Sequence, residues 1–527
     1  MQIILDIFLF VVYSGVFIFI VIWTWKFWSM YVAANFMTNM NFVLLEIKLP
    51  REIFKSPESM EIVAGAFLQG GGVGNWYLRN WRGAVPTFFS LEIASLEGDV
   101  RFYARCEKKF VQLLSNNFYS QYPGIEIKES EDYINKIFYD HRHKHVSLWG
   151  LTNKLSESFK LPNDGSDNRK SVFERISKEK DSDKKTELEK GIKLPADYKM
   201  LKTYLDFKQD KDPKEEFKHD PLTPVLEWLG SMRAGEYAFY QLIVQDAGKF
   251  DGKTFPKTYQ ASGTDEGFTL KELADERRKQ IRSKEFKPKF KKGDKIFDDY
   301  GYPVNKTEPD GVDENGKPRV KEVQKEYQKD DEFKLEAVKE SDLTEESKEE
   351  LKMISRKLQK PILRAAMRVM YVAKKDEAKI GQNAQSVLSI FKQYTAPGYN
   401  GFSPTTSDPY NYNWEDTMKR RKPWRSEELF EAYAEREGFY PHITERKKVD
   451  SWADIVLFRY GLGTRKVLRL LYEGIIHPFD HPHPDQVFTI NLEELASLWH
   501  LPGTVATTPG IKRVDSIKGD APDNLPR

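Results

Sequence analysis

Hydrophobic and polar positions change rhythm along this chain, and each rhythm predicts an element. The first is an unbroken apolar run, Ile7–Trp25, without one charged side chain. As a helix rising about 1.5 Å per residue it would be roughly 28 Å long, near the ~30 Å hydrocarbon thickness of a bilayer. This predicts a single transmembrane helix within residues 1–32. Beyond it, Asn41–Leu49 reads as a strand, and Ser56-Pro57-Glu58-Ser59 opens a helix in which Met60, Val63, Ala64, Phe67 and Leu68 recur at helical spacing. In Thr87–Leu96, Phe89, Leu91 and Ile93 alternate with Ser90, Glu92 and Ala94; Glu97-Gly98-Asp99 reverses the chain, and Val100–Arg105 alternates again. A helix over Glu107–Gln121 and a short strand, Ile125–Lys128, complete the order β-α-β-β-α-β.

That order recurs. Tyr198–Phe207 reads as a strand, Asp220-Pro221 opens a helix, and Glu236–Asp246 reads as the next strand. Glu345–Arg356 reads as a short helix, Pro361–Ala373 as a strand, Glu377–Tyr394 as a helix, and Gly398–Phe402 begins a closing segment. The expected fold is therefore α+β: one N-terminal transmembrane helix, then two tandem ferredoxin-like modules over residues 41–150 and 197–405. Residues 151–196 and 249–345 are dense in Lys, Glu and Asp and thin in large aliphatics, so they bury too little apolar surface to offset the entropy of ordering. They read as a charged linker and a polar insertion within the second module, with a short helix at Leu270–Lys279. Residues 406–527 read as a basic segment and a C-terminal connector.

Charge orients the anchor. Trp23, Trp25 and Trp28 crowd the C-terminal end of the apolar run, where amphipathic rings favour the headgroup layer, and Lys26 stands among them. Lys48, Arg51 and Lys55 follow, whereas Asp6 is the one charged side chain before the run. The positive-inside bias then places the body on the cytoplasmic face. A cleaved signal peptide is the competing reading; the missing basic n-region and the length of the run oppose it. Cys106 is the only cysteine among 527 residues, so no internal disulfide forms. A net charge of +2 demands no polyanionic partner, although a locally basic face remains compatible with it.

Candidate chemistry is sparse. Gly70–Gly74 follows a helix rather than a strand and lacks the Gly-Lys-Ser/Thr ending of a phosphate loop, so it reads as a connection. His141, His143 and His145 would share one face of an extended segment, but Arg142 and Lys144 between them repel a cation. His477, Asp480, His481, His483 and Asp485 lie on a proline-stiffened stretch with metal-ligating groups but no arguable catalytic base. Neither cluster is assigned a metal, no cofactor is expected, and no enzymatic constellation emerges. The stretch Met418–Arg425 gathers Lys419, Arg420, Arg421, Lys422 and Arg425 around Trp424, a pattern suited to phosphates of nucleic acid or of lipid headgroups, with the indole free to stack.

Several stretches resemble the membrane-proximal region of bacterial DNA-translocating ATPases related to type IV secretion coupling ATPases. They are Asp220–Leu229, Gly235–Val244, Met367–Ala373, Ile390–Tyr394, Asn400–Phe402, Phe488–Gly503 and Lys518–Pro526. The phosphate loop and magnesium-binding carboxylate of such an ATPase do not occur in this sequence, so no catalytic residue carries over. The resemblance implies a scaffold in a DNA or protein translocation apparatus, single-pass in a bacterial cytoplasmic membrane. Its partner would be a coupling-type ATPase held through Asn491–Pro526; a homo-oligomeric ring and contact with DNA are further arrangements it admits. A membrane-tethered nucleic-acid-binding protein is the alternative.

Overall fold

The computed structural model describes residues 39–50, 56–69, 76–137, 146–155, 192–207, 220–247, 343–374, 378–396, 398–406, 421–439 and 487–503, shorter stretches between them, and isolated positions from Tyr13 to Met37. The chain forms two compact units, one from residues 1–157, 199–256 and 356–527, the other from 158–198 and 257–355.

In chain order the first unit begins β1 (Phe42–Pro50), α1 (Glu58–Ala64), α2 (Trp76–Asn80), β2 (Phe89–Leu96), β3 (Asp99–Glu107), α3 (Val111–Gln121) and β4 (Glu126–Ser130). It continues with β5 (Val146–Leu155), α4 (Thr223–Gly230) and β6 (Glu236–Asp246). α5 (Leu270–Lys284) lies in the second unit, and the boundary between units falls within α6 (Glu345–Gln359). The first unit closes with β7 (Ile362–Lys374), α7 (Ile380–Lys392), β8 (Phe402–Thr406), α8 (Arg421–Glu435), β9 (Phe488–Asn491), α9 (Leu492–Leu498) and β10 (Arg513–Val514). The second unit also carries three two-stranded pairings, 158–161 with 192–195, 259–260 with 267–268, and 307–312 with 318–322, and an Arg277–Glu350 ion pair at 2.8 Å.

The ten strands make one sheet in the order β8-β5-β7-β6-β2-β3-β1, with β4 and β10 sharing the far edge of β1 and β9 pairing with β7 beside β5. Every pairing is antiparallel except β10 on β1. The reversal at Glu97-Gly98 is a hairpin turn with φ of +56° and +89°; a Cβ on Gly98 would meet the Met232 carbonyl oxygen at 2.7 Å, so glycine is required there. One face of the sheet holds the main core, where Leu91, Ile93, Leu242, Val369 and Tyr371 meet α1, α3, α4, α7 and α9. The other face carries Phe239, Met370 and Val372 beneath α8 and the turn at Tyr133–Lys136.

Four expectations are corrected. The tandem ferredoxin-like modules are replaced by a single continuous sheet, because β2 and β6 pair along Phe89–Leu96 and so bury the two edges that separate modules would leave exposed. The leading strand of the second half is Val146–Leu155, not Tyr198–Phe207. Backbone groups in Lys199–Phe207 find partners other than a neighbouring strand: Leu201 N–H donates to Glu494 Oε1 at 2.8 Å and Tyr204 N–H to Ser497 Oγ at 2.9 Å. The transmembrane helix, and the single-pass bacterial cytoplasmic-membrane localisation with a cytoplasmic body, are also corrected: among the described residues no helix is long and apolar enough to cross a membrane. Within Ile7–Trp25 only Tyr13, Phe17, Val21 and Trp25 are described; Trp23 and Lys26 lie outside the described residues. An apolar run reports surface that favours leaving water, not what covers it. At Trp25 and Trp28 the neighbours are aromatic rings of the chain itself.

Candidate functional site

The α8-covered face of the sheet is crossed by a polar row. Strand registers place Glu46 beside Tyr103, Tyr103 beside Glu92, Glu92 beside Gln241, Gln241 beside Arg368, Arg368 beside Thr152 and Thr152 beside Thr405. Directly opposed residues share a face, so the row spans seven strands. Its centre is Glu92, fully buried. Arg436 donates from Nε and Nη2 to the two Glu92 oxygens at 2.9 and 3.0 Å, and its guanidinium also holds Asp132. The Ser90 hydroxyl donates to Glu92 Oε1 at 2.6 Å, the Tyr133 hydroxyl to Oε2 at 2.7 Å, and Gln241 Nε2 to Oε1 at 3.3 Å. Gln241 Nε2 also donates to the Tyr433 carbonyl at 3.1 Å, and Arg368 donates to Gln241 Oε1 at 3.4 Å.

Arg436 reaches this centre from just past the end of α8. Its φ is +56°, a left-handed conformation that costs a non-glycine residue roughly 1–2 kcal/mol. Its N–H donates to the Tyr433 carbonyl at 3.1 Å and that of Glu437 to the Ala432 carbonyl at 2.9 Å, the closing bonds of a helix end where glycine is usual. The ion pairs offset the strain. Burial alone would raise the Glu92 carboxyl, but the charge and hydrogen bonds of Arg436, with Ser90 and Tyr133, bring it down to about 2. Burial, and then the Glu92 charge, push the Tyr133 and Tyr433 hydroxyls well above their ordinary range. A carboxylate this acidic is a weak base and the tyrosines stay protonated. The row is chemically quiet; it ties α8 and the 132–137 turn to β2.

A second ionic network fixes α9. Asn491 and Glu494 form a reciprocal capping box, with Glu494 N–H donating to Asn491 Oδ1 at 2.9 Å and Asn491 N–H to Glu494 Oε2 at 2.8 Å. Lys357, fully buried, donates to Glu494 Oε1 at 3.2 Å, to the Thr489 carbonyl at 3.0 Å and to the Lys199 carbonyl at 3.2 Å. Burial raises the Glu494 carboxyl above its ordinary value, against the opposing pull of Lys357 and the two backbone donors. Beside them Arg356 joins Asp206 and Glu493, and Lys360 joins Glu61 and Glu493. Trp499 fills the space behind, edge-on to Phe102 and Phe118.

The surface feature is aromatic. Trp76 stacks on Trp25 with centroids 6.1 Å apart, Trp81 meets Trp25 and Trp28 edge-on at 6.4 and 5.6 Å, and Trp28 Nε1 donates to the Asn80 carbonyl at 3.1 Å. Trp76 and Trp81 remain 57% and 47% exposed, too much for ordinary core residues. Arg82, next in sequence to Trp81, lines a cleft of about 490 Å³ with Asn35, Asn39, Asn41, Glu107, Lys108 and Lys109.

Of the basic residues singled out in the sequence, Lys419 and Arg420 lie outside the described residues. Arg421, Lys422, Trp424 and Arg425 fall in the first turns of α8, their side chains outside the described set. The Gly70–Gly74 loop and the two histidine clusters, His141–His145 and His477–Asp485, lie outside it too. Among the described residues no group of His, Cys, Asp or Glu is placed to hold a metal. Cys106 is buried and its thiol is pushed up to about 12 by burial, which makes it a packing residue. Sequence reasoning missed Glu92, Arg436 and the Trp76–Trp81 surface. The dense spacing of Trp76, Tyr77 and Trp81 was the one available signal. No family model, no curated protein and no solved structure matches the chain.

Proposed function

We propose that the chain is a scaffold subunit of a DNA or protein translocation apparatus of the type IV secretion kind, positioning a partner ATPase of the coupling type. The reading rests on the resemblance carried by Phe488–Gly503, and one structural observation supports it. Phe488–Leu501 is built into the body: β9 pairs with β7, α9 is held by Lys357, and each residue from Phe488 to Leu501 is buried. Load applied to the chain beyond Leu501 would pass directly into the sheet, as a mechanical mount requires. It also narrows the docking segment from Asn491–Pro526 to the residues after Leu501, since Asn491–Leu501 has no free surface to offer.

The test is co-purification of the full chain with a coupling-type ATPase from the same genome, compared with a chain ending at Val514. Binding by the full chain and its loss in the shorter one is the expected result. A full chain that binds no such ATPase ends the reading, and equal binding by both chains excludes the residues after Val514 as the dock.

A further inference from the structure

The cleft beside Trp81 combines three things that one class of ligand uses together. Its cations are uncompensated: neither Arg82 nor Lys108 has a carboxylate partner among the described residues, whereas Lys109 Nζ is neutralised by Glu107 at 2.7 Å. Its amides are open: Asn35, Asn39 and Asn41 are all exposed, with one of them, Asn39, spending a donor on the Asn35 carbonyl at 2.9 Å. Carboxamides offer donor and acceptor side by side, the pairing that reads a base edge. An aromatic cluster adjoins it along the chain: the half-exposed Trp81 directly precedes Arg82, and Trp25 links Trp81 to Trp76. At about 490 Å³ the cleft lies within the roughly 300–1,000 Å³ range of small-molecule sites.

We propose that this cleft binds single-stranded nucleic acid, with phosphates on Arg82 and Lys108, a base on Trp81 and base edges against the asparagines. Single strands are favoured over duplex because only unpaired bases present their faces to an indole, and because two cations neutralise few phosphates. The contacts proposed use none of Lys419–Arg425, and the inference does not depend on the ATPase partner proposed above.

The experiment titrates the full chain with a labelled oligothymidylate by fluorescence anisotropy across a salt series. Two phosphate contacts predict a slope of log affinity against log salt of about −1.4. Arg82→Gln and Lys108→Gln should each flatten it by about 0.7, and Trp81→Leu should weaken binding roughly 5- to 100-fold. Arg82 and Lys108 are exposed, so their variants should melt with the parent chain; Trp81 also packs edge-on against Trp25 and Trp28, so a thermal melt checks that Trp81→Leu is folded at the binding temperature. No binding at low salt overturns the proposal. So does a slope unchanged in the Arg82→Gln/Lys108→Gln double variant, which would move binding to another basic face. Competition by inorganic phosphate as effective as by oligonucleotide phosphate would reduce the cleft to a simple anion site. Loss of anionic-vesicle binding in the same variants, with no oligonucleotide bound, would assign it to lipid headgroups; either result overturns the nucleic-acid reading.

Discussion

At the scale of single residues, Glu92 and Arg436 govern the polar face. Neither charge has water to fall back on, and without Glu92 the guanidinium of Arg436 keeps Asp132 as its carboxylate partner. Glu92→Gln should destabilise the first unit by about 1.5–3 kcal/mol, read from urea denaturation. A cost below about 1 kcal/mol would show that the pair contributes little. The pH dependence follows from the same carboxyl. Its folded pKa of about 2 lies below the ordinary 4.5, so its contribution is complete above about pH 4.5 and drains away as pH falls toward 2. The parent chain should lose stability across that window more steeply than Glu92→Gln. None of this was legible beforehand. Glu92 reads locally as a polar residue alternating with Phe89, Leu91 and Ile93, which predicts exposure. Its burial depends on Arg436, 344 residues away.

At the scale of elements, spacing did well wherever a face was apolar and did poorly wherever it was polar. The alternation in Thr87–Leu96 and Val100–Arg105, the reversal at Glu97-Gly98 and the helix read over Glu107–Gln121 all reappear as β2, β3, their turn and α3. β5 went unread because the boundary drawn at residue 150 divided Val146–Leu155 between the first module and the charged linker. The start of α8 went unread because Met418–Arg425 stands out only as a basic stretch around Trp424, with its periodicity left unweighed. α9 shows why a short helix can be firm. Its capping box satisfies two terminal N–H groups, and Lys357 meets the capping carboxylate from below. Lys357→Met should cost about 3–5 kcal/mol by leaving Glu494 buried and unpaired. The double change Lys357→Met/Glu494→Gln should recover part of that loss, since the amide still accepts one backbone bond. Thermal melts decide it: a double variant no more stable than Lys357→Met would mean that packing, not charge, is what Lys357 supplies.

At the scale of the whole molecule, the seam between β2 and β6 joins strands drawn from Phe42–Ser130 to strands drawn from Val146–Thr406. A shared core covers one face throughout. The first unit should therefore open as one cooperative body, so amides of β3 and of β7 should exchange with solvent at the same free energy under native conditions. Exchange of one half well before the other would divide the unit along that seam. The sequence by itself determined the identity and extent of most strands and helices in this sheet, because the two-residue and 3.6-residue periods are properties of the local backbone and of which face turns from water. Only the tertiary structure decided what each face and edge meets: that β2 closes on β6, that Glu92 lies under Arg436, and that Trp25 and Trp28 rest against Trp76 and Trp81. Those partners are fixed by long-range pairing and burial. Periodicity says that a surface will be covered, and it carries no record of by what.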